Sequence, residues 1–206
     1  MNQRNIFMKR KRRLLVVFAA LFSVLVCVCF VACNMVKVMP LEGILEFTDV
    51  YDPDATVCIP AAYTGKDGNI EGLYRIDGRT MGSKTLKERV SLHPSSGMVI
   101  SPKWHSDNGF QQHVLVKDGR VRRFRDKRMF RRRALCSDAS NPGKLYIIES
   151  RCPMTMNGFA RVLSRHSTDA VNLDMGRWGY GWIGRKKLMR WAAPMKDKQT
   201  NWIVVK

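Results

Sequence analysis

The sequence predicts an α+β fold: a mixed β-sheet with hairpins and at least one packed helix, preceded by an N-terminal transmembrane helix. Three observations carry that prediction. Leu14 to Ala32 is a run of nineteen residues in which only Ser23 is polar. Asp77-Gly78 and Asp118-Gly119 each sit between β-prone flanks, as hairpin turns do. Met156, Phe159, Ala160 and Leu163 fall at helical spacing between two short apolar runs.

A helix over residues 14–32 is roughly 28 Å long at ~1.5 Å per residue, close to the thickness of a bilayer core. It has no polar face with which to meet water, which argues against a buried core helix. The block Lys9-Arg10-Lys11-Arg12-Arg13 flanks it on the N-terminal side. This predicts a cytoplasmic N-terminus (residues 1–13) and a translocated remainder, a single-pass arrangement with a periplasmic domain. An uncleaved signal anchor is the first reading of residues 14–33. Phe30-Val31-Ala32-Cys33 also resembles a lipoprotein box, with Cys33 as the lipidated residue, and simple cleavage and secretion is a third form. All three place the domain outside the cytoplasm.

The chain carries 36 Lys and Arg against 17 Asp and Glu. The first 33 residues hold six of the cations and no acid, which leaves 30 against 17, or +13, for the rest. Of the six cysteines, Cys58, Cys136 and Cys152 lie in that part and allow at most one internal disulfide. No pair of cysteines has the spacing of a zinc ribbon.

Residues 34–43 read as a tether and 44–206 as the folded domain. Val57-Cys58-Ile59 is a short apolar run ended by Pro60, and Lys66-Asp67-Gly68-Asn69 is a turn. The two Asp-Gly hairpins follow, the second joining His113–Lys117 to Arg120–Phe124. Leu145 to Ile148 reads as a central strand. Thr155 can cap the helix after it, and Ala170 to Leu173 is a further short strand. Strand, helix, strand in that order predicts a crossover with the helix laid on the sheet. Trp202 to Val205 reads as a closing strand.

Nine of the fourteen residues from Arg120 to Arg133 are basic, with Asp126 the single acid. Arginine forks suit phosphate and carboxylate oxygens. Most of the run reads as a solvated hairpin, whereas Arg132 and Arg133, next to apolar Ala134-Leu135-Cys136, are the two expected to be held by the structure. Nucleic acid is not an expected partner, because the segment before the domain exports it and no nucleic-acid-binding motif is present. His93, His105, His113 and His166 form no metal-binding pair, and no nucleophile elbow occurs. No cofactor or metal is assigned. Asp174 follows an apolar strand directly, at the kind of strand end where sheets with crossovers place ligands. Trp178, Tyr180 and Trp182 share one side if extended, either as a sheet face or as a sugar-stacking platform.

Asn172-Leu173-Asp174-Met175-Gly176 resembles the Asn-Leu-Asp-Gly-Gly signature of the phosphodiester glycosidase family, the domain of the enzyme that uncovers mannose 6-phosphate. Ala61-Ala62-Tyr63 through Gly78 is similar to the family's Asn-Gly-Gly block and following hairpin. Arg132-Arg133-Ala134 is similar to its arginine block, and Phe159 to His166 to the helix before the signature. The likeness spans residues 45–206 and is greatest to short, membrane-tethered bacterial members. It implies hydrolysis of a sugar 1-phosphodiester, with a glycan-linked phosphodiester or anionic glycan as partner. By resemblance Asp174 is the catalytic residue, acting as acid/base or by orienting substrate. Arg133, ahead of Arg132, then holds the phosphodiester anion, and Asn172 binds substrate, with Arg177 as a further anion contact. The pattern is broken at Pro60-Ala61-Ala62, at Met175 among the signature glycines, and at Arg177 in place of the serine after them. Those departures favour the alternative, a catalytically inactive module that binds anionic glycan or lipid headgroups.

Overall fold

The computed structural model describes residues 35–83, 85–94, 97–138, 140–141, 143–175, 181–184, 186–187 and 199–206. The proposed membrane segment, Cys33, Arg177, Trp178 and Tyr180 lie outside them. No helix among the described residues is long and apolar enough to cross a membrane. Residues 37–206 form one compact unit.

The expected α+β class is overturned: the described fold is mostly β, three antiparallel sheets with one helix of eight residues. The first sheet has the order β1 (Val36–Pro40), β12 (Leu145–Ser150), β11 (Arg133–Ser137), β13 (Asp169–Leu173), β9 (Val114–Lys117), β10 (Arg120–Val121). The second runs β15 (Lys186–Lys187), β14 (Trp182–Ile183), β3 (Val57–Pro60), β16 (Trp202–Val205), β2 (Leu45–Thr48). The third runs β5 (Arg79–Met81), β4 (Tyr74–Ile76), β8 (Gly109–Phe110), β6 (Arg89–His93), β7 (Gly97–Ser101).

The mixed sheet fails for a topological reason. Strands β12 and β13, joined through helix α1 (Met156–Leu163), do point the same way, as a crossover requires. They are not neighbours, however. Strand β11 lies between them and pairs antiparallel with both, Leu135 standing opposite Ile147 on one side and Val171 on the other. The expected tether also differs, since residues 36–40 form the edge strand β1 with Val36 and Met39 buried.

Local chemistry explains the elements that the sequence did announce. Asp77 and Asp118 have φ of 49° and 50°, and Gly78 and Gly119 follow at 76° and 72°. Two consecutive left-handed residues give the turn whose twist matches paired strands, and Asp-Gly reaches it at low cost. Thr155 caps α1 by accepting from the Gly158 amide at 3.0 Å, and Met156, Phe159, Ala160 and Leu163 are its buried stripe. The helix packs against β9 and β10. The main core lies among the sheets, with Phe47 stacked on Phe110 at 5.1 Å and Leu135, Ile147, Val171 and Ile203 in the same cluster. Cys58, Cys136 and Cys152 are all free thiols, the first two buried and the third exposed.

Candidate functional site

Strand periodicity decides which of the sequence-predicted residues meet. Residues opposite each other on paired strands share a face. Ala134 stands opposite Asn172, and Arg133 opposite both Glu149 and Leu173. Arg133 therefore shares a face with Leu173, which belongs to the main core and also borders the cavity described next, whereas Asn172 faces the other way. The Arg133 side chain is fully buried, and its Nε donates to Glu149 Oε1 at 2.6 Å. It does not line the cavity described next. Arg132, one residue earlier and outside the strand, does.

That cavity has a volume of about 460 Å³. Asn172, Asp174 and Met175 bound it from the end of β13, Tyr63 from the segment after β3, Met156 from α1, and Asp126, Arg128, Phe130, Arg131 and Arg132 from the strand connection before β11. Asp174, only 8% exposed, donates its amide to the Ala61 carbonyl at 2.8 Å. The strand end is thus tied to the Pro60-Ala61-Ala62 stretch. That stretch is in turn held by the fully buried Asn201, whose Oδ1 accepts from the Ala62 amide at 2.6 Å and whose Nδ2 donates to the Ala62 carbonyl at 3.1 Å. Asn172 Nδ2 donates to the Tyr63 hydroxyl at 2.9 Å and to the Leu173 carbonyl at 3.1 Å.

Arg132 is held as tightly. Its Nε donates to the Met154 carbonyl and its Nη2 to the Arg128 carbonyl, both at 3.0 Å. Those two bonds leave both N–H groups of Nη1 and the second of Nη2 as donors for a guest. Two guanidinium groups stand against the Phe130 ring, with the Cζ of Arg128 and of Arg132 each 5.6 Å from its centroid. Asp126 grips Arg128 through both carboxylate oxygens. With Arg128, Arg131 and Arg132 against Asp126 and Asp174, the cavity wall keeps a net positive charge.

The environment fixes protonation states. Burial, with a further push from the Asp174 charge, raises the Tyr63 hydroxyl to about 12, against the lowering effects of Arg132 and the Asn172 bond. Tyr63 is therefore a neutral donor at ordinary pH. Burial lowers the His113 imidazole below its usual value, aided by Arg132 and opposed by Glu71 and Asp126. His113 stands behind Tyr63, edge-on to it and to Phe124. The hydrogen bonds from Arg128 hold Asp126 at about 2. Burial also lowers the Arg132 guanidinium, which stays charged at any working pH.

An enclosed cation, a carboxylate at a strand end and a neutral phenol suit an anionic guest and acid–base chemistry on it. No group of three or more His, Cys, Asp or Glu that could hold a metal occurs among the described residues. Sequence reasoning brought Asn172, Asp174 and Arg132 to the site but missed Tyr63, Asn201 and the pair Asp126–Arg128. Asp126 carried a signal, as the one acid in a basic run. So did Asn201, a polar residue directly before an apolar strand. Trp182, read in the sequence as part of a sheet face or of a stacking platform, lies in a strand, its Nε1 donating to the Ala55 carbonyl at 2.8 Å and its ring meeting Tyr51 edge-on.

No family model matches the chain, and no curated protein does. Among solved structures it is similar to a hypothetical protein from Synechocystis, at 12% identity and a TM-score of 0.49 over 83% of this chain. The matched region is 56% of that protein, so the chain spans about half its length.

Proposed function

We propose that the protein is an envelope-tethered hydrolase of sugar 1-phosphodiesters, of the kind that the phosphodiester glycosidase resemblance implies. The observation that carries the proposal is the meeting of Asp174 and Asn172 with the Arg132 guanidinium around one cavity of about 460 Å³. The same three positions were singled out by the resemblance, and they come from segments about forty residues apart in the chain. In the proposed reaction one water is consumed and the bond between sugar and phosphate breaks, leaving a free sugar and a phosphate monoester. Arg132 holds the phosphate anion, and its enclosure strengthens that interaction relative to water. Asp174 takes the proton of the attacking water or returns one to the leaving oxygen. Tyr63, neutral and bonded to Asn172, donates a hydrogen bond toward the guest.

The test is hydrolysis of a panel of activated sugar 1-phosphodiesters by the full chain beside Asp174→Asn. Loss of acid–base catalysis lowers turnover by about 10²–10⁴-fold, with the fold unchanged by circular dichroism. Full turnover in the variant removes Asp174 from the mechanism.

One observation favours a second reading, a non-catalytic module for anionic glycans. Met175, 5% exposed, puts its side chain at the cavity wall where the family pattern has glycine. Under that reading no product forms with any phosphodiester, and the protein is retained on anionic glycan in a manner that salt abolishes.

A further inference from the structure

The strand connection that closes one side of the cavity also forms a surface of its own. Seven of the side chains in residues 120–131 are exposed cations. Two of them have acidic partners: Arg122 pairs with Glu88 at 3.0 Å and Arg128 with Asp126 at 2.9 Å. The other five, Arg120, Arg123, Arg125, Lys127 and Arg131, have no carboxylate within ion-pair distance among the described residues. Beside them Met129 is 62% exposed and Phe130 47%. The segment is built into the domain rather than loose on it. The Arg122 amide donates to the Leu115 carbonyl, Asn157 holds both the amide and the carbonyl of Phe124, and Phe130 exchanges two backbone bonds with Met154.

We infer that residues 120–131 dock on an anionic lipid leaflet, the cations among headgroup phosphates and Met129 with Phe130 at the acyl boundary. Five like charges held together repel one another unless a counter-charged surface meets them. A soluble polyanion supplies the charge but leaves the two large apolar side chains in water. The interface of an anionic bilayer takes both. The apolar run Leu14 to Ala32 in the same chain is the sequence feature that brings such a bilayer within reach. Arg128, Phe130 and Arg131 belong to this surface and to the cavity wall alike. If the cavity is a phosphodiester site, a docked domain is placed to take its substrate from a membrane-anchored molecule. That consequence rests on the proposed function, whereas the docking does not.

The surface is made of trypsin sites, which supplies the test. The full chain is placed in lipid nanodiscs containing one phosphatidylglycerol in three lipids, or phosphatidylcholine alone. Cleavage within residues 120–131 is then compared with cleavage at exposed Arg161 and Arg165. Docking slows the first relative to the second by about tenfold or more in anionic discs only, and high salt removes the difference. Met129→Ser keeps every tryptic site and weakens the protection. Equal relative cleavage in the two discs overturns the inference. Protection by heparin with none in anionic discs reassigns the surface to a soluble polyanion, and protection indifferent to Met129→Ser overturns apolar insertion. Because proteolysis reads no turnover, its failure leaves the hydrolase reading standing, and failure of hydrolysis leaves the docking standing.

Discussion

Replacing Glu149 by Gln removes the charge that accompanies Arg133 in the core. The Arg133 side chain is fully buried and that of Glu149 is 10% exposed, so solvent cannot compensate for the change. Taking one partner from a buried pair costs about 3–5 kcal/mol. The compact unit runs from Lys37 to Lys206, 170 residues. At about 2.1 cal/mol/K per residue its unfolding entropy is roughly 0.36 kcal/mol/K, so Tm falls by about 8–14 °C. The apolar double variant, Arg133→Met with Glu149→Leu, removes both charges of the pair and recovers at least half of that loss. Thermal melts followed by far-ultraviolet circular dichroism measure both, and phosphodiester hydrolysis is read on the double variant. The Arg133 side chain is fully buried and does not line the cavity, so under the proposed function the folded double variant keeps its turnover. Glu149→Gln melting with the wild type, or a folded double variant that has lost hydrolysis, refutes the assignment of Arg133 to the scaffold and returns it to the phosphate.

Two titrations act in opposite directions on stability. The His113 value is depressed on folding, so the unfolded chain binds the extra proton first; stability is complete above about pH 6.5 and declines as pH falls below it, and urea titrations of His113→Phe lack the decline. Tyr63 is raised to about 12, so stability is lost as pH climbs from the ordinary tyrosine value toward 12, and Tyr63→Phe flattens that limb. Thr155→Ala leaves the Gly158 amide without its cap and lowers Tm by about 3 °C, or about 1 kcal/mol, in the same melts. Among Cys58, Cys136 and Cys152, iodoacetamide followed by peptide mass spectrometry labels Cys152 at least about tenfold faster. Burial raises the Cys58 and Cys136 thiols to about 11 and 12 and shields both, so equal labelling contradicts the fold around them.

Features governed by neighbours along the chain were legible in the sequence. Trp202 to Val205 forms a strand with the expected bounds, both Asp-Gly pairs turn hairpins, and the Thr155 helix buries the stripe its spacing indicates. Features governed by pairing were not. Nothing local to residues 133–137 says that they separate β12 from β13, and that single insertion turns a mixed sheet into an antiparallel one. Residues 36–40 read as a tether because an edge strand with a buried–exposed–exposed–buried–exposed pattern lacks clean alternation. At the site, the choice between Arg132 and Arg133 depends on where β11 begins, since one residue changes the face. Asn201 reaches Ala62 across 139 residues, a distance over which no motif operates.

Strand β16 sits between β3 and β2, and it is formed by residues 202–205. Val205 pairs with Leu45 on one side and Val57 on the other, so β2 and β3 are not joined until the ribosome has passed both by some 150 residues. Through that interval Phe47 and Ile59, buried in the finished protein, lack the strand that pairs with both of theirs. Sheets closed by such distant segments form slowly, and their open edges invite aggregation. Deletion of residues 202–206 is therefore expected to show first as a failure to fold rather than as the loss of any one contact.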